Sequence, residues 1–387
     1  VTDQTKTCRT CKSDVPLSEF SADISRSDGL CTHCKPCDNA RRRAREQGGV
    51  PMDRVRQTLL AERREWQAER RAMQKQVADA AATVKAVEAK LDDVLNAKPQ
   101  RAPTFLKRKA DRSDATALVL LSDWHVEERV RKSDVNGVNE FSLDIARERA
   151  ERFFLNVARL TDIAARDSRI ETIYLAVLGD LFTGHLHEEN LHTTALAPPM
   201  AARYAGELLT AGVRFLLDNT PYRLEGVMIP GNHGRMTKKM WMSSPVDTSL
   251  ESFMYAYVAH DLNQNKRVNL KVAPGAMEYH RFYESFDVRF LHGYEMKYGG
   301  GVGGITIPVR KAIAQWDKVR RASLTVFGHF HHFMDGGDFL ANGSLIGYSG
   351  FGQAIKADYE EPKQAWTLIH ARNGGQKALT APVWVTP

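Results

Sequence analysis

The chain has 387 residues, 43% of them hydrophobic and 26% charged, with a formal net charge of +7. That length exceeds the roughly 100–200 residues of one typical domain, so a large core with accessory parts is expected. No stretch approaches the roughly 18 apolar residues that span a bilayer, and the opening VTDQTKTCRT lacks the apolar core of a secretion signal, so a soluble, cytoplasmic protein with no membrane partner is the expectation.

All five cysteines, Cys8, Cys11, Cys31, Cys34 and Cys37, fall in the first 40 residues. An odd count beside a long cysteine-free remainder argues for metal binding in a reducing compartment rather than for disulfides. Cys8 and Cys11 form one C-x2-C pair; the second is either Cys31 with Cys34 or Cys34 with Cys37. Four thiolates close a tetrahedral zinc site and leave no open position, so one structural zinc is expected rather than a catalytic one. The alternative is unligated cysteines in a tail. The stretch TCRTCKSDVPLSEFSADISRSDGLCTHCKPCDNARRR resembles a small zinc-knuckle module common in phage proteins, including the zinc-binding part of recombination endonuclease VII-like proteins. The resemblance implies Cys34 and Cys37 as the second pair, leaves Cys31 and His33 as spares, and places a phage-encoded chain in the bacterial host cytoplasm. Behind this module (1–46), Arg41, Arg42, Arg43 and Arg45 are candidate contacts to a nucleic-acid backbone.

Residues 47–98 predict one long helix, because no glycine or proline falls between Met52 and Ala97. Leu59, Trp66, Met73, Ala80, Val87 and Val94 recur every seventh residue, and Val77, Val84 and Leu91 supply the complementary series. Both seam positions are apolar from Val77 to Val94, which is coiled-coil spacing; upstream, Arg56, Arg63 and Arg70 occupy the second series. The helix either packs on its own domain or pairs with a second copy through residues 77–95. At 1.5 Å per residue it is about 65–70 Å long. A basic linker, 99–114, follows, with FLKRKADR at 105–112 as its charged run.

Residues 115–387 alternate strand-like and helical segments. Candidate strands are 117–123, 172–180, 226–232, 287–293, 323–329 and 365–370, and most of them end on polar groups. The first delivers Asp123 and His125, the second Asp180, and the third Asn232, His233 and Arg235. The fourth delivers His292, and the fifth His329 and His331. Ligands of α/β folds collect beyond the carboxyl ends of strands. Two carboxylates, an amide oxygen and several imidazoles suit two closely spaced divalent metals; manganese is the expectation in vitro, with iron, zinc, cobalt or nickel compatible. Asp123 and His125, and likewise His329 and His331, are two residues apart, which in a strand puts each pair on one face. Phe330 then turns into the core and His332 falls on the opposite face.

The motifs DWH (123–125), GD (179–180), GNH (231–233), HG (292–293) and GHFH (328–331) occur in the order found in the calcineurin-like metallophosphoesterase family, which this part of the chain closely resembles. The resemblance implies an α/β fold, a four-layer α/β/β/α sandwich, preceded here by the long helix and the zinc module. It implies one metal on Asp123, His125, Asp180 and His331, and a second on Asp180, Asn232, His292 and His329. His233 becomes the catalytic histidine beside the metals. Arg235 is either a phosphate clamp or a support of the GNH loop. His185, His187 and His192 read as a polar loop or helix start beside the site, and the glycines of 298–306 as a loop near substrate.

The metal chemistry leaves the substrate open. The basic segments, the zinc module and the long helix favour DNA and a metal-dependent nuclease, exo- or endonucleolytic, in the family's DNA-nuclease branch. The alternatives are a phosphatase or small-nucleotide phosphodiesterase, and a non-catalytic DNA-binding or assembly protein. Only about 55 residues follow the last motif, which leaves little room for a capping domain.

Overall fold

The computed structural model describes residues 4–46, 52–96, 112–186, 188–239, 241, 245–297 and 304–386. Residues 47–51 and 97–98 of the predicted helix, 99–111 of the predicted linker, His187 and most of the glycine-rich loop (298–303) lie outside them. The chain forms two compact units, Val1–Lys107 and Arg108–Pro387.

In the first unit, strands β1 (Thr5–Thr7) and β2 (Asp14–Pro16) pair antiparallel, as do β3 (Phe20–Ala22) and β4 (Leu30–Cys34). Helix α1 (Lys35–Glu46) follows directly. A hairpin this small buries too little apolar surface to stand alone, and its core consists of Cys8, Cys34, Cys37 and Phe20, with Val15, Leu30 and Leu59 against it. Leu59 belongs to α2 (Met52–Asn96), an uninterrupted helix of 45 residues. The helix is held there also by Arg63, whose guanidinium donates to the carbonyl of Asp14 at 3.1 Å. Beyond that contact Trp66, Met73, Val77, Val84, Val87 and Leu91 are all more than half exposed. The seam therefore packs on its own unit at one end and is bare along the rest of its described length.

The second unit is mixed α/β. Its first sheet has the order β15 (Gln376–Trp384), β14 (Lys363–His370), β5 (Asp114–Leu121), β6 (Arg169–Val177), β7 (Arg223–Met228), β8 (Val268–Val272). The last four strands are mutually parallel, so their carboxyl ends share one edge. The second sheet runs β12 (Met334–Asp335), β13 (Phe339–Ala341), β11 (Leu324–Phe327), β10 (Phe286–Leu291), β9 (Met277–Phe282), with β10, β11 and β13 parallel. Between the strands lie helices α3 (Leu143–Ala165), α4 (Asn190–Thr193), α5 (Pro198–Asn219), α6 (Leu250–Leu262), α7 (Thr306–Trp316) and α8 (Gly350–Ala354).

The near-continuous apolar runs of β5 and β6 mark strands buried on both faces. Val119, Leu121, Leu175 and Val177 pack with Phe153 and Phe154 of α3, Leu209 of α5 and Tyr255 of α6. The alternate residues Leu118, Leu120, Tyr174 and Ala176 meet Val288, Phe290, Leu324 and Val326 of the second sheet. A third cluster joins Leu291, Phe327 and Phe339 to Val309 and Ile313 of α7. After β13 the stretch GSLIGYSGFGQA contributes α8, and β14 and β15 follow.

Arg149 of α3 is buried and faces acceptors rather than a carboxylate. Its guanidinium donates to the carbonyls of Leu345, Ile346 and Glu140 and to Oδ1 of Asn139, at 2.8–3.2 Å. Burial lowers its pKa to about 10, so it stays charged at neutral pH. The loop it holds supplies the N–H of Leu345 to the carbonyl of Asp123 at 3.1 Å, which ties helix packing to the site described next.

Candidate functional site

These parallel strands stop one to three residues before their motifs: β5 ends at Leu121, β6 at Val177, β7 at Met228 and β11 at Phe327. Asp123, His125, His329 and His331 therefore do not share strand faces as period two predicted. They sit in the loops beyond, at positive φ of 55°, 48°, 69° and 52°, and Asp180 joins them at 55°. Asp and His are among the few non-glycine residues that enter this left-handed region readily. Left-handed residues at alternate positions turn both side chains to one side, while the residue between is driven inward. Trp124 is fully buried against Phe153 and Phe154, and Phe330 packs on the α7 cluster.

The loops hold one another through backbone hydrogen bonds. The amides of Trp124 and His125 donate to the carbonyl of Asp180, and the amide of Asp123 donates to that of Gly179. Such close approach forbids side chains at the motif glycines. A Cβ on Gly231 would lie 2.0 Å from Oδ1 of Asp180, and one on Gly328 would lie 2.4 Å from Oδ2 of Asp123.

The predicted ligands converge in two groups, Asp123–His125–His331 and Asp180–His292–His329, with the ligand atoms of each within 4.8 Å of one another. His233 lies in a third such group, with His125 and Asp180. Asp123, His125, Asp180 and His292 are buried, at 0–3% exposure, whereas Asn232, His233, His329 and His331 are half-buried and form the open side. Contacts within the groups lack their usual partners. Nε2 of His125 faces Nε2 of His331 at 3.2 Å. Nε2 of His292 lies 2.8 Å from Oδ2 of Asp180 without forming a hydrogen bond, and Oδ1 of Asn232 is buried with no partner. Nitrogen and oxygen donors crowded in this way fit divalent cations between them.

On His292, His233 and His125 the remaining ring nitrogen is already engaged, which fixes how these three present themselves. Nδ1 of His292 contacts the carbonyl of Leu178 at 2.6 Å, and Nδ1 of His233 contacts that of Thr183 at 2.9 Å. A carbonyl accepts only, so both rings carry the proton at Nδ1. Nδ1 of His125 meets Oγ1 of Thr183 at 2.9 Å, and that hydroxyl donates to Glu128 at 3.0 Å. The hydroxyl proton is thereby committed, and Nδ1 of His125 is the donor in its contact.

Sequence reasoning missed these supporting groups. Thr183 sets two histidines, by its side chain and by its carbonyl. Buried Glu251 accepts from the amides of Asp180, Leu181 and Gly231, so one carboxylate pins the GD and GNH loops together. Burial, followed by the charge of Asp180, pushes its pKa up to about 7. Glu127 does the same for the amides of Thr183 and Gly184. Behind Asp123, the Ser122 hydroxyl donates to Oδ2 at 2.5 Å and is itself held by Asn342. The glutamates fell outside every motif; Glu127 at least lies a few residues past the end of β5, whereas Glu251 sits in the first turn of α6, far along the chain from the loops it holds.

Arg235 donates to the carbonyls of Asn232 at 3.0 Å and Thr237 at 3.3 Å, which places it as a brace of the GNH loop. His332 pairs with Glu360 at 2.8 Å. His185 and His192 are exposed and join none of the metal-type groups found among the described residues.

In the first unit the sulfurs of Cys8, Cys11, Cys34 and Cys37 lie within 4.8 Å of one another. The spacing had left the second pair open; the fold brings in Cys34 and Cys37, while Cys31 contacts the carbonyl of Ala22 and His33 contacts Thr10. Burial disfavours a thiolate at Cys8, but the amides of Cys34, Cys11 and Thr10 outweigh it and lower the pKa to about 6. Burial, with Cys8 nearby, raises Cys34 to about 11 and pushes Cys37 up as well. A thiolate forms easily at Cys8 and is disfavoured at Cys34 and Cys37 without a cation, and four sulfurs alone suit zinc. Arg42, Arg43 and Arg45 are exposed on α1, and Arg41 is half-buried.

No protein-family model matches the sequence, and no curated protein matches it. Similar solved structures include a dimetal phosphatase from Danio rerio, at 10% identity and a TM-score of 0.34, covering 70% of this chain and 99% of that one. They also include the sulfate thiohydrolase SoxB from T. thermophilus, at 9% identity and a TM-score of 0.28, covering 69% of this chain and 56% of that one. No helix among the described residues is long and apolar enough to cross a membrane.

Two predictions follow from the geometry. Burial opposes a proton on His292, but Asp180 beside it raises the pKa to about 10, so a cation entering there at neutral pH must displace that proton. Manganese affinity measured by calorimetry is expected to rise between pH 6.5 and 8.5, by up to about tenfold per unit for each proton displaced; pH-independent affinity contradicts this. For the cysteines, Cys37→Ser is expected to lose the zinc of the first unit and Cys31→Ser to keep it, as read by metal analysis of the purified protein.

Proposed function

We propose that the chain is a dinuclear-metal phosphodiesterase that hydrolyses nucleic-acid phosphodiester bonds, built on the four-layer α/β/β/α sandwich of the calcineurin-like metallophosphoesterases. The observation that carries this reading is the convergence of Asp123, His125 and His331 in one group and Asp180, His292 and His329 in another, together with the orphaned buried oxygen of Asn232, one residue before His233. The three apolar clusters, one between the sheets and one outside each, support the architecture.

Asp123, His125 and His331 would hold one cation and Asn232, His292 and His329 the other, with Asp180 between them. Two divalent cations held there, manganese first among those the donors suit, would supply Lewis-acid polarisation of phosphoryl oxygens and would lower the pKa of water. The protein holds the donors rigid, because the amides of His329 and His233 fix Asp123 and Asp180. With Nδ1 of His233 committed to Thr183, proton exchange at that ring falls to Nε2, the atom that would protonate the leaving oxygen. Arg235 keeps Asn232 in place and adds positive charge beside the phosphate.

Nucleic acid is favoured over a small phosphate ester by the arginines exposed on α1 beside the four cysteines. Clustered arginine binds a phosphate backbone without reading bases. A panel of linear duplex, nicked circle, single-stranded DNA, RNA and a bis-aryl phosphodiester is expected to show manganese-dependent cleavage of at least one nucleic acid. Asp180→Asn and His233→Ala are each expected to abolish it. Deleting residues 1–50 is expected to weaken DNA binding and spare bis-aryl turnover. Activity confined to phosphomonoesters or cyclic nucleotides sinks the nuclease reading and leaves the phosphatase one.

The bare seam of α2 supports pairing with a second copy of residues 77–95, since Val77, Val84, Val87 and Leu91 are each at least 55% exposed. Sedimentation equilibrium of the full chain at tens of micromolar is expected to show a dimer, and a monomer there excludes it.

A further inference from the structure

One ligand of the first metal-type group is oriented from outside that group. Nε2 of His125 faces Nε2 of His331 at 3.2 Å, while its Nδ1 meets Oγ1 of Thr183 at 2.9 Å. A neutral imidazole carries a single proton, so only one of its nitrogens keeps a lone pair for a cation. A hydroxyl can either donate to Nδ1 or accept from it, and the two choices have opposite consequences. If Thr183 donates, the ring proton sits on Nε2 and blocks the lone pair that faces His331. If Thr183 accepts, Nε2 is open.

Glu128 decides between them. Its Oε2 lies 3.0 Å from Oγ1 of Thr183, and a carboxylate accepts only, so the hydroxyl proton is turned away from His125. Neighbouring backbone holds this half-buried glutamate in place. The amide of Glu128 donates to the carbonyl of His125 at 2.9 Å, and Glu128 pairs with Thr194 in an antiparallel bridge. On either side, the amide of Arg129 donates to the carbonyl of Thr193 and the amide of Ala195 to that of Glu127, both at 2.7 Å. Thr183 is fixed as well, because its amide donates to both carboxylate oxygens of Glu127, at 2.9 and 3.0 Å. Two adjacent glutamates therefore hold one threonine, one by its amide and the other by its hydroxyl.

We infer that Glu128 is a positioning residue for the cation of the Asp123–His125–His331 group: acting through Thr183, it keeps the His125 proton on Nδ1 and leaves Nε2 open to the metal. The inference rests on the dinuclear-metal reading above and adds to it a residue that lies outside all five motifs. What the role requires is an acceptor at position 128 rather than a negative charge. That requirement separates it from simple attraction of a cation by a nearby carboxylate. Glutamine keeps an acceptor oxygen and loses the charge, whereas methionine, of similar length, has neither.

The test titrates manganese calorimetrically into the full chain after dialysis against a chelator. Glu128→Met is expected to weaken one of two manganese sites by about ten- to a hundredfold, the usual cost of losing a group that orients a ligand, and to leave the other unchanged. Glu128→Gln is expected to recover most of that loss. Thr183→Val, which removes the hydroxyl and keeps the carbonyl that holds His233, is expected to weaken the same site, and Thr183→Ser to restore it. In the Thr183→Val background Glu128→Met is expected to add no further loss, since its route to His125 is already cut. Unchanged affinity in Glu128→Met overturns the inference. Equal losses in Glu128→Gln and Glu128→Met reassign the residue to charge attraction and overturn it as well. Additive losses in the double variant remove Thr183 as the intermediary, and weakening of both sites together reduces Glu128 to a structural support; either result overturns it. A wild type that binds no manganese sinks the dinuclear-metal reading itself, and the positioning role with it.

Discussion

The second unit is organised around a local excess of like chemistry. Two carboxylates and four imidazoles meet in two groups whose ligand atoms lie within 4.8 Å of one another, and the innermost of them are shut off from water. Buried charge of this density is costly unless each group is paired or coordinated. The surrounding structure answers with donors. Amides of His329 and His233 bond to the two aspartates, a serine backs one of them, and His292 and His125 use their outer nitrogens on a carbonyl and a hydroxyl. The inner nitrogens of His125 and His331 then face one another at 3.2 Å, an arrangement that a cation between them relieves.

Sheet topology makes that excess possible. Parallel strands deliver their carboxyl ends to one edge, and two sheets packed face to face bring two such edges together. Asp123, Asp180 and Asn232 come from one sheet, and His292 and His329 from the other. Neither sheet alone assembles the set, so the apolar contact of Leu118, Leu120 and Tyr174 with Val288, Phe290 and Val326 sets the spacing between the groups. Glu251 works on a smaller scale, joining two loops of one sheet through three amides.

Much of this was legible in the sequence, for identifiable reasons. Apolar runs such as LVLL declare buried strands, and polar residues directly after them declare an edge with chemistry. The long helix followed from the want of glycine and proline between Met52 and Ala97. What could not be read was the backbone at the motifs. Period two suggested strand faces for Asp123 with His125 and for His329 with His331, but strand pairing stops before them and the chain turns left-handed. Side-chain spacing is the same in both geometries, so pattern could not separate them. The supporting glutamates were invisible for another reason. Glu251 is 71 residues from the amide of Asp180 that it holds, and no local signal encodes such a partner. The second cysteine pair was likewise undecidable by spacing alone, because Cys31 and Cys37 are each three residues from Cys34.

The left-handed backbone also limits how this site can vary. At Asp123, His125, Asp180, His329 and His331 a β-branched or bulky side chain meets steric opposition before any question of chemistry arises. The residues that enter that region with least strain are glycine, asparagine, aspartate and histidine, and all of these but glycine bind metal. Substitutions that keep the loop shapes are therefore biased toward exchanging one ligand for another. A lineage carrying this fold would more readily drift in which cation it prefers than lose its capacity to bind one.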